Sequence, residues 1–167
     1  MANLKEIDIY KQKIIEILLS DDIIVQLLTS DPNRTTPAKD LVYTQVFPYD
    51  WMDLISLTAQ AYICVDVDIL KLSSNYAVKD CTMTVWVMCH QQAMSLRGSD
   101  NYGLSYVGGT LRDKLADRID YLINGHGDFG FGKVNLLKAP RFDPGGQYYG
   151  RELVYYVQDF NRSPQKL

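Results

Sequence analysis

The chain contains little cysteine, with only three residues, Cys64, Cys81 and Cys89. Three cysteines cannot all pair within one chain, and none of them has the C-x-x-C spacing of redox and zinc motifs. Unpaired thiols are typical of proteins in a reducing compartment. The sequence therefore predicts free thiols and a protein that is made and folded in a cytoplasm.

Runs of basic residues and long apolar runs are also missing. The 17 basic and 20 acidic residues give a formal net charge of -3, which excludes general electrostatic attraction to nucleic acid. No segment approaches the roughly 20 apolar residues needed to cross a bilayer. Charged side chains interrupt the apolar N-terminal region, so we expect neither an export signal nor a membrane span.

The length and the hydrophobic periodicity predict one α+β domain over residues 1–167, with a flexible C-terminal tail at about 162–167. We expect a mainly antiparallel sheet, with two N-terminal helices and one later helix packed on one face. The predicted helices are 3–19, 21–28 and 111–123, and the predicted strands are 60–72, 81–90, 134–137 and 152–157. The segment 29–58 contains three prolines and several aromatic residues. It is predicted to be ordered, with a short strand before Pro48.

Three finer predictions depend on local signals. Ser20, followed by two aspartates, is predicted to cap the second helix. The apolar stripe of the later helix, which Thr110 is predicted to cap, leaves Lys114 on the charged outer face. The segment APRFDPGGQYYG, residues 139–150, is rich in turn-forming residues and predicts a turn between the last two strands.

The stretch DCTMTVWVMCHQQ, residues 80–92, collects residues that often carry chemistry. In a strand, Cys81 and Cys89 share one face, whereas His90 points to the other face. The two cysteines would also lie about 26 Å apart. These residues therefore cannot converge on one ion, and we expect buried thiols in a sheet.

Other candidate sites are equally weak. Asp66 and Asp68 share a strand face but lack a third metal ligand nearby in the sequence. GGTLRDKL lacks the lysine of a phosphate-binding loop. In GHGDFGFG, a His126–Asp128 pair would need a nucleophile that no motif supplies, so a glycine-hinged contact loop is favoured. We expect no enzymatic activity, no cofactor, and no catalytic or metal-binding residues.

Aromatic residues are abundant, with 12 tyrosines, 5 phenylalanines and 2 tryptophans. Many lie in predicted loops or at strand ends, and such rings are enriched at protein–protein contacts. The abundance therefore predicts a subunit of an assembly. The predicted interface residues are Tyr43, Phe47, Tyr49, Trp51, Tyr102, Tyr106, Phe129, Phe131, Tyr148 and Tyr149.

Several segments together resemble a family of phage proteins. They are YKQKIIEILLSDDIIVQLL, VYTQVFPYDW, YICVDVDI, a second strand that ends in His90, LADRIDYLING and GRELVYYVQDFN. In this order, over about residues 5–161, the chain resembles the tail-terminator (tail-completion) proteins of long-tailed phages, prophages and phage-tail-like particles. The resemblance is a pattern of segments without a sharp signature.

The resemblance implies a structural virion protein that forms a ring, usually a homohexamer, at the tail or neck. The ring would cap the tail tube, end its polymerisation and join the tail to the head connector. The implied partners are other copies of the chain, the tail tube protein and the head–tail connector or neck proteins, with the tail sheath as a further candidate. DNA would pass through the lumen without specific binding, no membrane would be involved, and assembly would take place in the host cytoplasm.

Three alternatives remain open at this point. A head-completion or neck adaptor protein is also a small, ring-forming virion protein. A small metal-dependent hydrolase would need Asp66, Asp68 and His126 to meet around one ion. A host-encoded adaptor domain without a viral role would carry similar aromatic loops.

Overall fold

Two long antiparallel strands, Val78–His90 and Tyr148–Phe160, pair residue by residue at the centre of the fold. The computed structural model describes residues 4–31, 33, 35–50, 58–96, 109–127 and 129–160. Within these ranges the helices are α1 (Lys5–Ser20), α2 (Asp22–Thr29), α3 (Leu111–Ile123) and two 3-10 helices, Ala38–Leu41 and Gln91–Ala93. The strands are β1 (Val46–Phe47), β2 (Ala61–Leu72), β3 (Val78–His90), β4 (Val134–Lys138), β5 (Arg141–Gly145) and β6 (Tyr148–Phe160).

The described strands form one mixed, mostly antiparallel sheet in the order β1-β2-β3-β6-β4, with β5 also paired to β6. Among the described strands, only β1 runs parallel to its neighbour, β2. Strand β3 pairs antiparallel with β2 on one side and β6 on the other. The predicted α+β class is therefore confirmed, and so is the predicted short strand before Pro48. Strand β3 begins at Val78, three residues earlier than expected.

The main core lies between the sheet and the three helices, as the alternation of β2 predicts. Ile63, Val65 and Val67 point to this face, where they meet the apolar stripes of α1, α2 and α3. Burial of these side chains is the main source of stability because each removes apolar surface from water. No helix in the described part of the chain is long and apolar enough to cross a membrane.

A second, smaller core covers part of the opposite face of the sheet. It consists of Phe47, Tyr62, Cys64, Met88 and Tyr148. The hydroxyl groups of Tyr62 and Tyr148 both donate to the carbonyl oxygen of Thr58, at 3.0 and 2.8 Å. These two hydrogen bonds fasten the segment before β2 over the small core.

The cap of α2 is Asp21, and the prediction that Ser20 caps this helix is wrong. Asp21 has extended backbone angles, and its Oδ1 accepts from the Ile24 N–H at 3.0 Å. Ser20 instead ends α1, and its hydroxyl donates to the Glu16 carbonyl oxygen. Asp21 also pairs with Arg118 of α3 at 2.6 Å, which joins two helices. The predicted cap of α3 is confirmed, since the Thr110 side chain accepts from the Asp113 N–H.

The predicted turn over residues 139–150 is wrong. It contains all of β5 and the first three residues of β6. Pro144 is compatible with β5 because an edge strand leaves one backbone side unpaired, where a missing N–H costs nothing. Between β5 and β6 only Gly146 and Gln147 remain, and both Gly145 and Gly146 have positive φ. Turn-forming residues therefore occur inside the hairpin as well as at its tip.

Lys114 is buried, in contrast to the prediction that it lies on the outer face of α3. Only 1% of the residue is exposed, and its Cε lies 3.8 Å from the position that a Cβ on Gly109 would take. The long apolar stem of a lysine can lie along neighbouring apolar surface. Helical periodicity does not reveal this because it classes every lysine as polar.

A buried charge cluster connects the start of α1 to the outer ends of β3 and β6. Lys79 is fully buried and forms ion pairs with Glu6 and, at 3.9 Å, with Asp159. The Tyr10 hydroxyl donates to Asp159, and the Lys79 ammonium lies 4.9 Å from the centre of the Tyr10 ring. Burial, followed by the hydrogen bond to Asp159, raises the pKa of Tyr10, so this phenol stays protonated.

We predict that Lys79→Met lowers the free energy of unfolding by about 3–5 kcal/mol, because it leaves buried carboxylates without their cation. The control is Lys138→Met. Lys138 is 61% exposed and lies 3.7 Å from Glu152, so its loss should cost less than about 1 kcal/mol. Urea unfolding of both variants measures the difference. Similar losses for the two variants would contradict the structural role of the buried cluster.

The glycine loop after α3 approaches the backbone of β6 very closely. A Cβ on Gly132 would lie 1.6 Å from the carbonyl oxygen of Gln158, whereas a Cβ on Gly127 would lie 3.5 Å from its nearest neighbour. The first distance is a clash with backbone, which cannot move aside as a flexible side chain can. Only glycine therefore fits at position 132.

We expect Gly132→Ala to lower the free energy of unfolding by at least about 1–3 kcal/mol through overpacking. Gly127→Ala, in the same loop, should change it by less than about 0.5 kcal/mol. Thermal or urea unfolding of the two alanine variants tests this contrast. Equal stability of the two would show that the loop does not rest on β6.

Candidate functional site

An exposed tyrosine cluster follows the first 3-10 helix. Tyr43 and Tyr49 are 63% and 41% exposed, and their ring centres lie 6.4 Å apart. Phe47 is buried below them, 5.8 Å from the Tyr49 ring. Three of the predicted interface residues therefore form one cluster, and two of them present rings to solvent.

Gln45, which the sequence analysis did not identify, holds this cluster in place. Its buried amide donates to the carbonyl oxygens of Leu28, at 2.6 Å, and Ala61, at 2.9 Å. The Tyr43 N–H closes the turn by donating to Val46 at 2.8 Å. Tyr43 takes a left-handed backbone conformation, with φ of 62°. The exposed rings are thus carried by a turn that is tied to α2 and β2.

The tyrosine cluster forms one wall of a cavity of about 430 Å³, which we call the tyrosine groove. It is lined by Asp8, Lys11, Gln12, Tyr43, Pro48 and Tyr49. Lys11 extends from α1 over the edge of the sheet, where it donates to the Pro48 carbonyl oxygen at 3.1 Å and pairs with Asp66 at 2.7 Å. Asp66, considered above as a metal ligand, is therefore a partner of this lysine.

A second cavity, which we call the arginine pocket, lies where β5, β6 and the start of α3 meet. It encloses about 310 Å³ and is lined by Arg112, Arg141, Phe142, Asp143 and Tyr149. Tyr149, another predicted interface residue, is 49% exposed here. No local pattern in the sequence marks the arginines, because they belong to a helix and to a predicted turn that are distant in sequence.

Asp113 is the carboxylate at the centre of the charges beside this pocket. Arg112 donates to it at 3.0 Å and Arg151 at 2.9 Å, and the Thr110 hydroxyl adds a bond of 2.8 Å. Burial alone would raise the pKa of Asp113. The hydrogen bonds from Arg112, Thr110 and Arg151 outweigh it and lower the pKa to about 2. Asp113 is therefore ionised at neutral pH and holds two arginines at the rim.

Of the six remaining predicted interface residues, three lie within the described part of the chain and three lie outside it. Phe131 and Tyr148 are 6% and 4% exposed, so the cores of the chain itself hold these rings and leave little surface for a neighbour. Phe129 is partly buried and lies between Phe131 and His126, at 5.7 and 5.9 Å. Outside the described residues lie three predicted interface residues, Trp51, Tyr102 and Tyr106, and also Asp128 of the His126–Asp128 pair.

The cysteines and His90 occupy structural positions. Cys81 and Cys89 belong to the main core and Cys64 to the small core, and all three are buried thiols. His90 lies on the opposite face from Cys89, as predicted, with its ring 5.0 Å from that of Tyr148. Its Nδ1 accepts from the Gln92 N–H at 3.1 Å. The cysteines and His90 therefore serve as packing residues of the sheet.

The hydrolase alternative requires a cluster that the described residues do not form. Asp66 pairs with Lys11, while Asp68 is exposed. Over the described ranges, no three His, Cys, Asp or Glu side chains lie close enough to hold a metal ion. Asp66, Asp68 and His126 therefore make no shared site.

Comparison with known proteins places this chain in a family. The family model described as YomW matches residues 21–157, which is most of the chain. The chain belongs to the YomW family. YomW is a family name of the kind used for phage proteins, in this case those of a Bacillus SPbeta-like prophage. It indicates a phage-derived protein. No curated protein matches the chain.

The range that the YomW model matches includes every residue that lines the arginine pocket but only some of those that line the tyrosine groove. Tyr43 and Tyr49 lie inside residues 21–157, and so does the whole arginine pocket. Helix α1, which contributes Asp8, Lys11 and Gln12 to the tyrosine groove, precedes the matched range.

We predict that the three thiols of this YomW-family protein react slowly in the native state. Burial raises the pKa of Cys81 to about 11 and raises that of Cys89 further, so neither forms the reactive thiolate at neutral pH. Alkylation by iodoacetamide at pH 8, followed by mass spectrometry, should be far slower in buffer than in urea. Rapid labelling of Cys81 or Cys89 in the folded protein would contradict a purely structural role.

Proposed function

We propose that this YomW-family protein is a structural virion protein of the tail-terminator type. In this proposal, identical copies form a ring that caps the tail tube, ends its polymerisation and joins the tail to the head connector. DNA passes through the lumen without specific binding, which the net charge of -3 favours.

The observation that carries this proposal is the fixed, exposed tyrosine cluster. Rings on a mobile loop would lose conformational freedom on binding, whereas rings on a fastened turn have lost most of it already. The Gln45 hydrogen bonds fasten the turn, and Tyr43 and Tyr49 remain exposed beside a cavity. Such preorganised aromatic residues are typical of protein–protein contacts. Membership of a phage-type family, which indicates a phage-derived protein, supports a role in the virion.

The test measures the mass of the purified protein alone and after mixing with tail tubes. Native mass spectrometry and electron microscopy should show a closed ring, and tubes assembled in its presence should end at that ring. A protein that stays monomeric and ignores tubes would overturn the proposal. A ring that binds DNA-filled heads but not tubes would favour a head-completion or neck role instead.

A matched pair of variants tests the role of the tyrosines. We expect Tyr43→Asn combined with Tyr49→Asn to weaken ring assembly at least about tenfold, because exposed aromatic anchors contribute strongly to contacts. The control is Tyr76→Asn, since Tyr76 is 60% exposed and has a similar φ of 57° in the β2–β3 turn. Asparagine tolerates this backbone conformation. Equal assembly by both variants would contradict a role for the tyrosine groove.

A further inference from the structure

The tyrosine groove and the arginine pocket lie at opposite edges of the sheet. The groove is built on α1 and on the segment around β1, whereas the pocket is built on β5, β6 and the start of α3. In the strand order, β2 and β3 separate β1 from β6 and β5. Two different surfaces on opposite edges permit head-to-tail contact between identical copies, which closes into a ring when the rotation between copies allows it.

The groove carries a net negative charge. Its lining contains Asp8 and Lys11, and Lys11 is paired with Asp66. The formal charges of these three side chains sum to -1. Asp8 is exposed and makes no hydrogen bond or ion pair with another described residue. One carboxylate at this edge therefore has no cation opposite it within the described residues.

The arginine pocket carries a net positive charge. Arg112 and Arg151 share the carboxylate of Asp113, and Arg141 and Asp143 complete the charged set, which sums to +1. Arg141 lies directly opposite Arg151 across the β5–β6 pair, an unfavourable placement of like charges. Arg141 is exposed and makes no hydrogen bond or ion pair to the part of the chain that the structure describes.

Local hydrogen bonds occupy parts of the two sheet edges, which favours contact through side chains over strand addition. On β2, the Val67 N–H donates to the Asp66 carboxylate at 2.8 Å. On β4, the Leu136 N–H donates to the Asn124 side chain at 3.0 Å. Bulges interrupt both β2 and β4, and such irregularities oppose edge-to-edge pairing.

We propose that the arginine pocket of one copy binds the tyrosine groove of the next copy, with Arg141 pairing with Asp8 across the contact. The proposal rests on the ring proposed above and names its subunit interface. Tyr149 and Phe142 would face Tyr43 and Tyr49 around the ion pair, so that aromatic rings shield it from water. Opposite net charges also set the direction of the contact, because groove-to-groove and pocket-to-pocket contacts repel.

Two charge reversals test the pairing. Arg141→Glu and Asp8→Arg each place like charges across the contact. Each alone should raise the concentration needed for half-assembly by more than about tenfold. The control is Lys133→Glu, which makes the same change in charge as Arg141→Glu at an exposed residue that lines neither cavity. Circular dichroism of every variant checks that it remains folded.

Mixing the two failed variants gives the decisive result. In a head-to-tail ring, Glu at position 141 of one variant meets Arg at position 8 of the other, and the next contact is the original Arg141–Asp8 pair. An equimolar mixture should therefore form an alternating ring with an even number of subunits, which mass photometry detects. The double variant should assemble by itself for the same reason.

The outcomes separate this interface from the proposed function. A wild-type protein that stays monomeric overturns both proposals. A wild-type ring that neither reversal weakens, or a mixture that remains monomeric, overturns only the Arg141–Asp8 contact. Assembly of the mixture, with Lys133→Glu behaving as wild type, supports it.

Discussion

Strand β3 is hydrogen-bonded on both sides over nearly its whole length, and the other elements take their positions from it. Its register with β2 on one side and β6 on the other places the buried side chains of all three strands in the same two layers. One layer meets the helices, and the other contributes the small core that contains Tyr62 and Tyr148. A slip of one residue would exchange the layers and expose the main core.

The register of β3 also explains the buried charges and the buried thiols. Lys79 lies opposite Asp159 in the β3–β6 pair, on the face where α1 brings Glu6 close. Cys81 and Cys89 lie further along the same face, beneath the helices. Residue types that often carry catalysis are thus used for packing and for one buried ion-pair cluster. Among the described residues, aromatic and charged side chains at the two edges remain accessible.

The two edges suit an assembly subunit because they differ from one another. One edge carries exposed tyrosines and an acidic side chain, and the other carries arginines beside Tyr149. At Val67 and Leu136, the backbone N–H groups at the sheet edges donate to side-chain oxygens, so they are not available to pair with another strand. The proposed role, contact with other copies and with virion partners, takes its support from these unlike edges and from membership of a phage-type family.

The sequence by itself determined the α+β class, the central hairpin, the three helices and the separation of Cys89 from His90, because periods of 2 and 3.6 residues are local properties of a chain. It also indicated Tyr43 and Tyr49 through their loop position. Only the tertiary structure decided the surroundings of Lys79 and the pairing of Arg112 and Arg151 with Asp113. Lys79 and Glu6 are 73 positions apart, and no local pattern records which distant side chains a fold brings together. Periodicity placed Lys114 outside because it classes every lysine as polar, although a long apolar stem allows a lysine to lie in the interior.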